Sequence, residues 1–295
     1  MNKIKGALKW IKLFILIFQG RSKATYGVRH IENIFNQFQY EYLVKREELL
    51  LAEQTLMKIA EKIEVANLGE LIRIGPEHDG GYLCLDLYKK PNLLSGGAGK
   101  NIDFEKFFAS RGSRIDIYDP TIKALNLNIK KINHYRIGLE GTESGKFMKS
   151  MNLESAYKIF SDNNDKNLGN YLKLDIEGSE WDLLEQSLEQ LDIFDQMFIE
   201  FHNLYMLSSV KYRNTYEKVN DYLFSHFYVV SINSNNWDQF INFGKSFTPI
   251  TYEITFVNKR HHHLLQTLSE SNYRDLISSN NQNRPVIFNK PFFKN

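Results

Sequence analysis

Tyr171-Leu172-Lys173-Leu174-Asp175-Ile176-Glu177-Gly178-Ser179-Glu180-Trp181 decides how this chain of 295 residues folds. Its first four residues suit a buried parallel strand, and they end at an acid. A glycine turn follows, and then a helix start. Ser179 is a natural N-cap, with Asp182 three residues on, where a capping acid reaches back. Glu180 and Asp182 put negative charge in the first helical turn, against the positive end of the helix dipole. Asp175 and Glu177 are thereby held at the carboxyl edge of a sheet, where open α/β folds place their ligands.

Outward from this stretch, short apolar runs alternate with helical spacing. The pattern predicts strands near 82–86, 92–95, 114–118, 134–138, 171–175, 196–201, 227–233 and 250–257. It predicts helices near 103–111, 122–130, 153–160, 180–190, 212–225 and 263–278. Such alternation implies a parallel sheet with helices on both faces, an α/β fold. His261-His262-His263 reads as solvated residues opening the last helix.

Residues 26–66 read as one long helix or two. Ile31, Ile34, Phe35, Phe38, Tyr42, Leu49, Leu56, Ile59 and Ile63 fall near helical spacing with charges between them. Such a segment packs on the following domain or pairs with a second copy as a homodimer. The organisation is a basic arm at 1–25, a helical extension at 26–70 and the main domain at 71–295.

With 42% apolar and 24% charged residues, the composition is that of an ordinary globular domain. A net charge of +2 gives no bulk electrostatic case for nucleic acid. The single cysteine, Cys84, allows no internal disulfide and fits a reducing, cytoplasmic setting. It alternates with apolar residues as a small core residue does. The charge is uneven: residues 1–23 hold Lys3, Lys5, Lys9, Lys12, Arg21 and Lys23 and no acid. Their apolar run, Trp10 to Phe18, is shorter than the about 20 residues that span a bilayer. Two readings stand for this arm: peripheral contact with an anionic inner-membrane face, or docking on protein.

Three loops carry candidate chemistry. Ser95-Gly96-Gly97-Ala98-Gly99-Lys100-Asn101-Ile102-Asp103 joins a strand to a helix that Asp103 is placed to cap. Its glycines let backbone run close to a ligand. It is not a phosphate-binding P-loop, since Leu94 and Asn101 stand where Gly and Ser/Thr are needed. Nor is it a dinucleotide fingerprint, because Ile102 fills the third glycine position. A nucleoside without a diphosphate fits better. Asp119, at the end of the next strand and 20 residues after Gly99, has the spacing of a carboxylate that accepts from a ribose diol. Glu200 and His202 alternate to one side of a strand predicted beside the one ending at Asp175. Asp175, Glu200 and His202 thus form a candidate metal set, or His202 is a general base oriented by Glu200. Asp79-Gly80-Gly81 reads as a hairpin-like turn, with Asp79 a further candidate for cofactor contact.

Together, Arg73-Ile74-Gly75 with Asp79-Gly80-Gly81-Tyr82, Ser95 to Glu105, Tyr118-Asp119-Pro120-Thr121 and Leu172 to Trp181 resemble the FkbM-like, methyltransferase-like-24 type of S-adenosylmethionine-dependent methyltransferase. Glu200 and His202 resemble that group's Glu-x-His element. The resemblance spans about Leu71 to Lys259. It implies a Rossmann-like, doubly wound, mostly parallel seven-stranded sheet. It implies S-adenosyl-L-methionine held by Gly97, Gly99 and Asp119, with Asp175 near the reactive methyl. It implies O-methylation of a hydroxyl on a sugar, glycan or related natural-product intermediate; the predicted convergence of Asp175, Glu200 and His202 adds Mg²⁺ as an optional second cofactor. This chain departs from the pattern at Gly96, Ala98 and Asn101. Two other readings stay open: an inert methyltransferase fold serving as a binding or assembly subunit, and a nicotinamide-dependent oxidoreductase.

Overall fold

The computed structural model describes residues 46–123, 131–141, 149–162, 168–235, 240–243, 246–266 and 293–294. The chain divides into two units, Met1–Arg46 and Glu47–Asn295. The basic arm and the helical spacing predicted over 26–45 lie outside the described residues.

In chain order, α1 (Arg46–Ala60) leads to a hairpin of β1 (Leu71–Ile74) and β2 (Tyr82–Leu85). Then come β3 (Asn92–Gly96), α2 (Asp103–Ser110), β4 (Ile115–Tyr118) and β5 (Ile132–Tyr135). A short pair, β6 (Gly138–Leu139) and β7 (Ser150–Met151), precedes α3 (Leu153–Ser161). The second half holds β8 (Asn170–Leu174), α4 (Glu180–Gln186), β9 (Gln196–Phe201), α5 (Val210–His226) and β10 (Phe227–Ser234). The small strands β11 (Phe240–Phe243) and β12 (Ser246–Pro249) follow, then β13 (Tyr252–Asn258) and β14 (Phe293–Lys294).

Seven of these strands form the central sheet, in the order β10-β13-β9-β8-β3-β4-β5. Five neighbouring strands, β9, β8, β3, β4 and β5, are parallel; β13 runs antiparallel between β9 and β10. The fold is α/β, with a mostly parallel seven-stranded, Rossmann-like sheet. From β3 the chain winds outward through β4 and β5, then crosses back to β8 on the other side of β3. The order therefore reverses between β3 and β8, and the carboxyl ends of these two strands are where open α/β sheets place their ligands.

The central strands are buried on both faces, so they read as continuous apolar runs. Leu93, Leu94, Leu172, Leu174, Met197, Phe198 and Ile199 have no exposed surface. On one face the hairpin and α2 meet the sheet through aromatic edges. Phe104 lies 5.3 Å from Tyr82, 5.3 Å from Phe108 and 5.0 Å from Phe198, each near-perpendicular. Cys84 is buried in this cluster, and burial pushes its thiol pKa far up.

Helix α1 stops at Ala60, short of the 66 that the spacing predicts. It docks within its own chain. Ala52, Leu56 and Ile59 are fully buried, and Thr55 donates to Glu217 on α5 at 3.1 Å. Glu48 pairs with the buried Arg213 at 2.6 Å. The pairs Lys58–Glu217 and Lys62–Asp221 are largely exposed and contribute little. The stripe that suggested self-pairing is therefore used on the domain over 46–60. Beyond it, Ala66 donates to the Val229 carbonyl and covers part of the β10 edge.

Other departures are local. The strand expected at 134–138 lies at Ile132–Tyr135. Helix α2 begins at Asp103, with Ile102 in the cap position and no side-chain cap bond. Residues 122 and 123 are not helical, and 124–130 lie outside the described residues. The last predicted helix is a 3-10 turn at Lys259–Leu264, with 267–278 outside the described residues. His261 there is not solvated. It is buried, with Nε2 2.9 Å from Asp195 Oδ1.

Leu56→Ala should lower the unfolding free energy of the full chain by about 2–4 kcal/mol in urea melts, because the vacated volume sits between α1 and the domain. A loss under about 0.5 kcal/mol would mean that α1 is not docked.

Candidate active site

The loop after β3 is shaped by two left-handed glycines. Gly97 has φ +72° and Gly99 φ +60°. A Cβ on Gly97 would sit 1.8 Å from the Asp175 carbonyl oxygen, so no side chain fits where β3 and β8 end. A Cβ on Gly99 would meet nothing within 4 Å, so the loop has open room on that side.

Asp119 holds this loop from the end of β4. Its Oδ2 accepts from the Ala98 and Gly99 backbone N–H groups at 3.0 and 2.9 Å. Its Oδ1 accepts from the Thr121 N–H and hydroxyl at 2.7 and 2.6 Å. Burial alone raises its pKa. The Thr121 hydroxyl and the N–H groups of Gly99, Thr121 and Ala98 outweigh that, and hold it below the ordinary 3.8. The four acceptor positions of the carboxylate are thus filled by protein. A ribose diol reaches Asp119 only by displacing one of these donors.

The turn after β8 is built differently from the sequence expectation. Ser179 makes no cap bond. The carboxylate of Glu180, fully buried, turns back instead. It accepts from the N–H of Ile176 at 2.9 Å and of Gly178 at 3.0 Å. Two backbone donors on one carboxylate outcompete a single hydroxyl contact. Glu177 adopts φ +57° and Gly178 φ +101°, and a Cβ on Gly178 would strike the Asn203 side chain at 2.0 Å.

Glu180 also sets His202. Its Oε1 lies 3.0 Å from Nδ1. The imidazole is then aimed with Nε2 3.4 Å from Glu200 Oε1 and 3.7 Å from Glu177 Oε2. The His202 carbonyl is fixed by the Trp181 indole N–H at 2.9 Å and the Tyr212 hydroxyl at 3.2 Å. Burial alone lowers the His202 pKa, but the charge and hydrogen bond of Glu180 win and hold it well above 6.5. Against its own burial, Glu180 is held below 4.5 by His202. The two form an imidazolium–carboxylate pair.

Glu200 shifts the other way. Burial first, then the charge of Asp175, push its pKa up against the pull of His202. Glu253 stands directly opposite it on β13 and adds to the repulsion. Glu200 Oε1 accepts from Asn235 at 2.8 Å, and Oε2 from the Tyr82 hydroxyl at 3.4 Å.

Asp175, Glu200 and His202 each place one ligand atom within 4.8 Å of the others, so the structure brings the sequence-derived metal set together. A second set of that span joins Asp79, Glu200 and Glu253. Asp79 therefore lies beside Glu200 and Glu253. His202 is the weak member of the first set. Its Nδ1 is engaged by Glu180, which leaves Nε2 as its one ligand atom. Sequence reading missed Glu180 as its partner, although the acid was in view as a helix-dipole charge. It also missed Lys173, whose buried ammonium donates to the Gly97 carbonyl.

No protein-family model matches the chain, and no curated protein does. Three chains of solved structures match. One is a Streptococcus pneumoniae protein described provisionally as a tRNA (m1A22) methyltransferase, solved in complex with S-adenosyl-L-methionine. The match covers 65% of this chain and 75% of that one, at 12% identity and a TM-score of 0.30. At that score the likeness carries no weight for function. Among the described residues, no helix is long and apolar enough to cross a membrane.

A carboxyl held below its ordinary pKa in the folded chain contributes stability above about pH 4, which fades as the pH falls through its folded value. Asp119→Asn forfeits that contribution and offers an N–H₂ group where donors already point. It should cost about 2 kcal/mol at pH 7, and the gap to the wild type should close below about pH 4. Equal stability of the two chains at pH 7 in denaturant melts would contradict the clamp.

Proposed function

We propose that the chain is an S-adenosylmethionine-dependent methyltransferase of the FkbM-like kind, O-methylating a hydroxyl of a sugar, glycan or related natural-product intermediate. One observation carries this reading. The positive-φ glycine loop after β3, Asp119 after β4 and Asp175 after β8 meet at the edge where the strand order reverses. The open side of Gly99 fits a nucleoside lying against backbone.

The nicotinamide reading loses ground on two features. Antiparallel β13 between β9 and β10 departs from the dinucleotide strand order, and buried Ile102 occupies the cap of α2, where a pyrophosphate is bound.

When bound, S-adenosylmethionine supplies an electrophilic methyl on a sulfonium. Gly97 and Gly99 would hold its adenosine part, and Asp119 its ribose after exchange of a present donor. Because that methyl would come with a neutral leaving group, the protein's own task is alignment and removal of the hydroxyl proton. A carboxylate with a raised pKa suits that proton at neutral pH. In this proposal Glu200 is the base on the geometry of the edge, beside Asp175 and with His202 Nε2 3.4 Å from its Oε1 to orient it. Its raised proton affinity makes turnover climb with pH as it ionises. This inverts the roles that the sequence suggested for the pair. Asp175 and Glu200 are also oxygen ligands of the kind that Mg²⁺ takes, with His202 the less suited third member. On sequence grounds, the same proposal lays residues 1–23 on an anionic membrane face in the cytoplasm.

Titration calorimetry should show binding of S-adenosylmethionine and none of NAD. With a glycan acceptor panel, Glu200→Gln should lower kcat by about 100-fold while cofactor affinity changes by less than about threefold. Tight NAD binding, or no binding of the sulfonium, would overturn the reading. Turnover unaffected by EDTA removes the metal from it.

A further inference from the structure

Lys173 is a buried cation one residue before the carboxyl end of β8, between Leu172 and Leu174, where an aliphatic residue would pack at no electrostatic cost. Only 4% of its side chain is exposed. Charge in such a place is expensive unless it is hydrogen-bonded and compensated. Its Nζ donates to the Gly97 carbonyl at 2.5 Å. It lies 3.8 Å from Glu105 Oε1 and 3.8 Å from Asp175 Oδ2. Glu105, at the start of α2, is itself buried and accepts from the Ser95 hydroxyl at 2.7 Å, while its Oε2 has no hydrogen-bond partner.

The loop above this lysine is tied at each peptide. The Gly97 N–H donates to the Tyr118 carbonyl at 3.0 Å, and the next two N–H groups go to Asp119. The Gly97 carbonyl is left pointing into the sheet, and Lys173 meets it there.

We propose that Lys173 is a positioning residue for the nucleoside cofactor: its ammonium, balanced by Glu105 and Asp175, fixes the Gly97 peptide and so the ligand-facing backbone of Gly97–Gly99. It acts from beneath the loop and touches no ligand. This rests on the cofactor reading above and extends it to a residue outside the reacting edge.

The test uses S-adenosylhomocysteine and full-length chain. Lys173→Met alone strands the Glu105 charge, so the informative variant is the double Glu105→Gln/Lys173→Met, which removes both charges together. Its Kd, measured by calorimetry well below its own melting temperature, should rise by about tenfold or more, the loss expected for a charged hydrogen bond. In [¹⁵N]glycine-labelled protein, the ligand-induced shifts of Gly97 and Gly99 should shrink. A residue that serves the fold alone would change the melting temperature and leave both readouts in place. If the double variant does not fold, Lys173→Arg keeps a buried cation but puts a larger head under the Gly97 carbonyl, and its Kd should rise by about threefold or more. A folded variant whose Kd stays within about twofold of wild type overturns this inference alone. A wild-type chain that does not bind the thioether overturns the cofactor reading and this inference with it.

Discussion

One carboxylate ties the two halves of the candidate site together. Asp119, at the end of β4, takes the N–H groups of Ala98 and Gly99 on one oxygen and Thr121 on the other. Without it, the Ala98 and Gly99 N–H groups of a loop with two left-handed glycines would lose their partner, and only the Gly97 peptide would stay tied, to Tyr118 and Lys173. With it, the loop stays where the strand order reverses, against the Asp175 peptide. The geometry of the edge follows from that clamp and from the close approach that only Gly97 permits.

The second constraint is electrostatic. Asp175, Glu177, Glu180, Glu200, Glu253 and Asp79 crowd a short stretch of sheet edge, and His202 and Lys173 sit among them. Like charges this close cannot all ionise. The chain resolves the conflict by pairing Glu180 with His202 and by pushing the Glu200 proton affinity up. Such an arrangement lowers stability relative to an apolar core of the same shape. Such a cluster at the edge proposed to bind the ligand is the pattern expected where function and folding compete.

Much of the fold was legible because the central strands are buried on both faces and bounded by glycine, proline or acid. β9 runs over Gln196–Phe201, as the residues suggest, and β8 is displaced by one residue at each end. β1 was missed because Leu71–Ile74 is short, carries Arg73 in its middle, and pairs only across a seven-residue turn. The site was legible in its residue types and less so in its roles. Asp175, Glu200 and His202 were identifiable from strand ends and alternation. What each does depends on partners far along the chain: Glu180 lies 22 residues before His202, and Asp195 lies 66 before His261. Capping rules favoured Ser179 over Glu180 because they weigh one hydroxyl and one amide, whereas the turn offered a carboxylate two. Lys173 passed as a strand residue because its only mark in the sequence is a charge between two leucines.

The most direct measurement is a crystal structure of the full chain soaked with S-adenosylhomocysteine. The account predicts the nucleoside at the carboxyl ends of β3 and β4, against Gly97–Gly99, with its ribose replacing one donor on Asp119 and its sulfur directed toward Asp175. A ligand seated elsewhere, or an edge left empty at saturating concentration with the Asp119 clamp unchanged, would contradict it.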